Sequence, residues 1–317
     1  MTDIAILGAG AFGTALAIAW GRAGRKVALW GRDADAMRGA RTERRLPRLP
    51  GAILPGEVVP TDRLADLVPA RILIAAVPMQ GLGRALDAMP DCAPDAVIAA
   101  CKGVELSTLR GPTAILADRF AGVPAGILSG PSFAADIARG LPTALSLGLA
   151  ERGEEVQEML STPRLRLYRT DDVIGVELGG ALKNVTAIAC GAAIGAGLGE
   201  SARAALMTRG MAENASLAER LGARRETLMG LSGLGDLALT CASPQSRNFA
   251  LGHALGAGTP PPDATTEGVA TARAVLDLAG RHDLPMPVAR TTAALVAGEI
   301  SIEDAIEGLL NRELRAE

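Results

Sequence analysis

The chain has 317 residues, of which 49% are hydrophobic and 21% charged, with a formal net charge of −3. That much apolar content over that length suits two domains with cores of their own and excludes a disordered chain. A slightly acidic balance, with no Lys/Arg block interleaved with aromatics, argues against a nucleic-acid-binding field.

The opening "MTDIAILGAG" has no basic segment followed by an apolar one, so no secretory signal is read there and a cytoplasmic location is expected. Its run "IAILG" (4–8) reads as a first strand. "GAGAFG" follows at once and gives Gly8, Gly10 and Gly13 the G-x-G-x-x-G spacing at a strand–helix junction. The first glycine permits a tight turn, the second lets backbone approach a pyrophosphate, and the third lets helix pack on strand, so a nucleotide site is expected. "VALWG" (27–31) is the second strand. It ends in Trp30, where an NAD-selective fold usually places an acid, with Arg32 just beyond, an arrangement that tolerates a 2′-phosphate. The alternative makes Arg32 a surface charge and Asp33 the cap of the next helix.

"RILIAAVP" (71–78), "AVIAACKG" (96–103) and "AGILSGP" (125–131) follow, separated by helical stretches, which predicts an α/β fold with a doubly wound, mostly parallel sheet. "TALSLGL" (143–149) and "RLRLYRT" (164–170) flank a charged helix and could extend the sheet at an edge. From about Glu177 the pattern is all-helical, with breaks near Gly199, Gly222, Gly233 to Gly235 and the "GTPPPD" loop (258–263). The expected division is residues 1–178 for the nucleotide and residues 179–317 for the substrate and the chemistry. Val185 to Leu198, the longest strongly apolar stretch, falls short of the ~18 residues a span needs, so it reads as core helix and no membrane insertion is expected. Cys92, Cys101, Cys190 and Cys241 lie far apart without a CxxC pair, which reads as free thiols and no metal site.

In an open parallel sheet, ligands bind outside the carboxyl ends of the strands. Those ends carry Gly8 to Gly13, Gly31, Arg32, Val77, Pro78, Lys102, Gly103 and Ser129 to Ser132. Lys102 is therefore expected at the cofactor edge. "SGPSFA" (129–134) sets Ser132 at a helix start, where free backbone N–H groups can hold an oxygen-rich substrate, although an ordinary capped turn has the same sequence. In the helical half, "GLSGLGDLALTCASPQSRN" (230–248) places Asp236 after a glycine pair and ends on Ser246, Arg247 and Asn248. The planar fork of Arg suits phosphate, while a solvated loop is the alternative. "TTEGVAT" (265–271) offers Glu267, which alone would be taken for a helix cap.

Of the 32 basic residues only Lys26, Lys102 and Lys183 are lysines. Arg cannot be deprotonated in a protein whereas Lys can, so a lysine kept amid arginines points to proton chemistry. His253 and His282 sit in no recognisable motif, which leaves a lysine or a carboxylate as general base. Lys183 and Asn184 interrupt the apolar "ELGGALKNVTAIACG" (177–191), and a fold that buries this helix buries an ammonium.

With "GAGAFGTALA", "ILSGPSFA", "ELGGALKNVTAIACG", "GLGDLALTCASPQSRN" and "TEG" in this order, the chain resembles the bacterial-type NAD(P)-dependent glycerol-3-phosphate dehydrogenases nearly end to end. The resemblance implies a Rossmann N-terminal domain, a helical C-terminal domain, and reduction of dihydroxyacetone phosphate to sn-glycerol 3-phosphate, the backbone precursor of glycerophospholipids. It makes Lys183 the proton donor and acceptor, with Lys102 and Asp236 as catalytic partners. Around the substrate it sets Lys102, Gly130, Ser132, Lys183, Asp236, Ser246, Arg247 and Asn248. At the cofactor it sets Gly8, Gly10, Ala11, Phe12, Gly13, Arg32, Lys102, Ala134, Arg247, Thr265 and Glu267. NADP or NAD would serve, with NADPH slightly favoured, and the chain is compatible with a homodimer. Ala11 replaces a frequent Ser or Asn, Cys101 a usual Thr, and "AVPMQG" (76–81) lacks the usual Ser-His after Pro. Hydride addition to a ketone builds negative charge on its oxygen, which a positioned ammonium stabilises and protonates. Gly179 and Gly180, a turn before Lys183, are expected to leave room for substrate and nicotinamide.

Overall fold

Runs of Ile, Leu, Val and Ala that are buried on both faces build the sheet of the first half, as expected where helices cover both sides. The computed structural model describes residues 2–262 and 266–310. One unit takes the chain from its N-terminus to Lys102 and from Arg110 to Glu177; the other takes Gly103–Leu109 and the chain from Leu178 onward.

In the first unit the strands are β1 (Thr2–Leu7), β2 (Val27–Trp30), β3 (Val58–Thr61), β4 (Ala70–Ala75), β5 (Ala96–Ala99), β6 (Ala125–Ser129), β7 (Thr143–Gly148) and β8 (Leu165–Thr170), in the order β3-β2-β1-β4-β5-β6-β7-β8. The six strands from β3 to β6 are parallel, β7 runs antiparallel to β6 through Leu128↔Leu147, and β8 runs parallel to β7. The helices of this unit are α1 (Ala11–Arg22), α2 (Ala34–Glu43), α3 (Leu82–Asp87), α4 (Pro112–Arg119), α5 (Ala134–Arg139) and α6 (Gly153–Leu160). Alternation along β1 sends Ile4 and Ile6 to a core with Trp20 and Met37, and Ala5 and Leu7 to one with Leu82, Leu86, Leu116 and Phe120. The Trp20 indole N–H, fully buried, donates to the Leu160 carbonyl at 2.7 Å.

Strand β3 is not anticipated by the sequence pattern, because Pro60 interrupts its short run. It occupies a sheet edge, where a proline costs no ladder bond. Arginines from α2 and its end cover this strand's carbonyls: Arg41 Nε donates to Pro60 O at 3.1 Å and Arg44 Nη2 to Val58 O at 2.9 Å.

Helix α7 (Val173–Gly195) crosses the unit boundary and begins four residues earlier than the all-helical pattern suggests. By length and composition it could cross a membrane, yet most of it is buried within the protein, as befits a core helix apolar all round. In the second unit follow α8 (Gly199–Arg220), α9 (Arg225–Leu228), a π-turn (Leu231–Gly235), α10 (Asp236–Cys241), α11 (Arg247–Gly256), α12 (Glu267–Arg281), α13 (Pro287–Ala297) and α14 (Ile302–Leu310). The expected break at Gly233 to Gly235 is instead this π-turn, which runs directly into α10.

Helices α7 and α11 meet backbone to backbone. A side chain at Gly191 or Gly195 would overlap the Phe249 or His253 carbonyl, and one at Gly252 or Gly256 would overlap the Ile188 or Ala192 carbonyl. Two helices that begin with proline, α4 and α13, lack a side-chain cap of their own and receive a carboxylate from elsewhere. Glu177 Oε2 accepts from the Thr113 N–H at 2.9 Å and its hydroxyl at 2.6 Å, and Glu213 accepts from the N–H groups of Val288 and Ala289 at 2.8 and 3.2 Å.

Candidate functional site

The strand order reverses between β1 and β4, the point at which open α/β sheets bind ligands. Gly8 leaves β1 at φ +129, a conformation side chains rarely adopt, and a Cβ there would lie 2.6 Å from the Ala76 carbonyl oxygen at the end of β4. A Cβ at Gly13 would overlap the Gly8 carbonyl, so this glycine lets α1 close on the strand. Around Gly10 the Cβ position is open, and Gly10 caps α1 without any side-chain hydrogen bond. The first N–H groups of α1, from Ala11, Phe12 and Gly13, receive no side-chain cap, an arrangement that fits a pyrophosphate. This end of the sheet therefore fits a dinucleotide.

Because β1 to β6 run parallel, their carboxyl ends share one edge. Arg32 follows β2 there, exposed and without a hydrogen-bond or ion-pair partner among the described residues. Asp33 does cap α2, accepting from Ala36 N at 3.0 Å. Lys102 follows β5 and is half-buried. Gly130 follows β6 at φ +149, and the Ser132 hydroxyl donates back to its carbonyl at 3.4 Å. Ser132 does not open a helix as expected: α5 starts at Ala134, with Phe133 at its cap position. Ser129, at the head of this loop, is fully buried with a hydroxyl that makes no hydrogen bond.

In the second unit the structure joins residues far apart in sequence. Lys183 Nζ donates to Asp236 Oδ1 at 2.7 Å and to Thr240 Oγ1 at 2.5 Å, and the Thr240 hydroxyl donates to Asp236 Oδ1 at 3.3 Å. Lys183 is 8% exposed and Asp236 1%. The carboxylate supplies the counter-charge without which an ammonium would not be buried. Asp236 opens α10 and Thr240 stands four residues on, so one helix face presents both.

The start of α11 adjoins this cluster. Ser246 caps it, accepting from Phe249 N at 3.2 Å, and Asn248 Oδ1 accepts from the Gly268 N–H at 3.1 Å in the first turn of α12. A side chain at Gly268 would lie 3.0 Å from the Asn184 carbonyl oxygen, so the Lys183–Asn184 turn, Asn248 and the start of α12 are neighbours. Arg247 opens α11, exposed and without a protein partner among the described residues. Glu267 opens α12, half-buried. Thr265 lies outside the described residues.

Two residues are added by the structure. Thr240 lies within the quoted Asp236-to-Asn248 motif, four residues after Asp236, a spacing that gains meaning only once Lys183 is placed beside both. Asn184 adjoins Lys183 and is 4% exposed. One expectation is corrected: the space beside Gly179 is taken by protein, since a side chain there would meet Ser232 and Gly233 backbone at 2.9 and 3.0 Å. Below Thr240, Cys241 and Cys190 form a buried thiol pair. The hydrogen bond to Cys190, followed by burial, raises the Cys241 thiol far above its ordinary range.

The family model described as NAD-dependent glycerol-3-phosphate dehydrogenase N-terminus matches residues 3–154, and that described as the C-terminus of the same enzyme matches residues 172–307. A glycerol-3-phosphate dehydrogenase [NAD(P)+] of Cereibacter sphaeroides is 55% identical over 99% of this chain and 100% of its own length. That of Paracoccus denitrificans is 53% identical over the same shares of each chain. Among solved structures, a glycerol-3-phosphate dehydrogenase from Coxiella burnetii superposes with a TM-score of 0.91 at 35% identity, covering 98% of this chain and 99% of that one.

Proposed function

The chain belongs to the NAD-dependent glycerol-3-phosphate dehydrogenase family, and from that premise we propose that Lys183, held by Asp236 and Thr240, is the proton donor and acceptor of its reaction. The enzyme interconverts dihydroxyacetone phosphate and sn-glycerol 3-phosphate with NAD(P), the supply of glycerol 3-phosphate for glycerophospholipid synthesis. When bound, the nicotinamide supplies the hydride for the carbonyl carbon or takes it back. Lys183 Nζ gives its proton to the carbonyl oxygen as charge builds there, and recovers it from the alcohol in the reverse direction. Thr240, which accepts from Lys183 and donates to Asp236, holds the amine in line.

Arg247, whose guanidinium has no partner among the described residues, presents it to the substrate phosphate, with Ser246 and Asn248 fixing the start of its helix. The family resemblance assigns Lys102, Gly130 and Ser132 to the substrate as well, and Ala134 and Glu267 to the cofactor. Ala11, Phe12 and Gly13 hold the pyrophosphate through backbone N–H groups, and Arg32 favours NADPH slightly over NADH. In this reading residues 1–178 supply most of the nucleotide contacts and residues 179–317 the proton donor, with each contributing a few residues to the other's ligand. The enzyme works in the cytoplasm on small molecules, without nucleic-acid partners or membrane insertion, and light scattering tests whether it is a homodimer.

The observation that carries the reading is the buried Lys183–Asp236–Thr240 triangle. Lys183→Arg keeps the charge but cannot give up a proton, so turnover is expected to fall by about a hundredfold or more while nucleotide affinity is kept. Near wild-type turnover removes Lys183 from the role.

A further inference from the structure

Gly179 precedes Lys183 by four residues, so the two lie one turn apart on the same face of α7. Lys183 meets Asp236 and Thr240; Gly179 meets the π-turn that leads into them. A Cβ at 179 would stand 2.9 Å from the Ser232 carbonyl oxygen and 3.0 Å from the Gly233 amide nitrogen, backbone atoms that cannot swing aside. On the far side of the turn, a Cβ at Gly233 would overlap the Leu228 carbonyl at the end of α9. The turn is thus clamped between two backbones. Its one buried hydroxyl, on Ser232, makes no hydrogen bond among the described residues, so backbone packing rather than a side-chain bond from Ser232 holds it.

The turn closes through Gly235 N–H to Gly230 O at 3.0 Å, five residues apart where an α-turn spans four. One inserted residue turns all that follows by about 100° relative to an unbroken α-helix. Asp236 is the next residue, and after that rotation it and Thr240 face Lys183.

We propose that Gly179 and the π-turn Leu231–Gly235 form a positioning device that sets the distance between Asp236 and Lys183, and with it the aim of the proton donor. The proposal rests on Lys183 as the proton donor. Lys183→Arg tests that reading separately, and its failure would leave the device without a task.

The test is a double-mutant cycle in the full-length enzyme. Gly179→Ala forces the turn away from α7 and is expected to lower kcat at least tenfold, with KM for NAD(P)H changed less than twofold and the far-UV spectrum kept. Asp236→Glu lowers kcat alone, but its extra methylene spans the widened gap. The double variant is therefore expected to turn over faster than the product of the two single losses predicts. Independent, multiplicative losses would make Gly179 merely structural and overturn the proposal, as would wild-type kcat in Gly179→Ala. Should Gly179→Ala fail to fold, Ser232→Gly loosens the turn without adding an atom. A severalfold lower kcat at unchanged nucleotide KM then supports the device, and wild-type kcat overturns it.

Discussion

Replacing Asp236 by Leu strands the Lys183 ammonium in a site where its side chain is 10% exposed. At the observed 2.7 Å, two unit charges attract by about 6 kcal/mol at an effective dielectric near 20. Part of that attraction is offset by the carboxylate's own desolvation, and breaking one side of a buried pair costs about 3–5 kcal/mol net. For a unit of this size that corresponds to a fall in Tm of roughly 10 °C. Lys183→Met is expected to destabilise similarly by leaving the carboxylate alone. In the double variant Lys183→Met/Asp236→Leu both charges are gone, and most of the stability should return, short of about 1 kcal/mol for the orphaned Thr240 hydroxyl. Turnover should not return. Urea melts with parallel rate measurements on the four proteins check this. A double variant as unstable as Asp236→Leu, or one that still turns over, would refute the argument that the pair is kept for chemistry rather than for stability.

Other consequences follow from single sites. Gly252→Ala puts a methyl group into the Ile188 carbonyl where α7 and α11 touch, and overpacking between backbones is expected to cost about 3 kcal/mol, read from the urea midpoint. At Glu177, burial raises the carboxyl above the ordinary range, against the lowering effect of the Thr113 hydroxyl and N–H. The folded state therefore holds this proton more tightly than the unfolded one. Its stabilising contribution is present at acid pH and lost as pH rises through the raised value, so Glu177→Gln should gain on the wild type between about pH 4 and pH 7. An equal stability difference at both pH values contradicts that. Arg32→Ala should raise KM for NADPH roughly tenfold, about 1.4 kcal/mol, and leave KM for NADH nearly unchanged.

Much of the first unit is legible in the sequence because most of its strands are short apolar runs closed by glycine or proline, and "GAGAFG" stands at the first strand–helix junction. β3 escapes that reading, since Pro60 argues against a strand and only the edge position reconciles the two. The π-turn escapes it for a related reason: Gly233 and Gly235 disfavour helix locally, while the close approach of the Leu228 carbonyl leaves no room for a Cβ at position 233. Lys183 stands out in the sequence as a charge in an apolar helix. Thr240 does not, because a single threonine in a helix carries no pattern until the lysine it touches is placed beside it. Gly103–Leu109 joins the helical unit through packing, with Val104 in that unit's core, and nothing in its composition announces this.

Chemical rescue of Lys183→Ala by small primary amines tests the account most directly. If Lys183 moves the proton, the crippled variant should recover turnover in proportion to added amine. The recovered rate should vary with the basicity of the amine across a series of similar size. A Lys183→Ala enzyme that needs no amine, or whose recovery is indifferent to the amine's basicity, would contradict it.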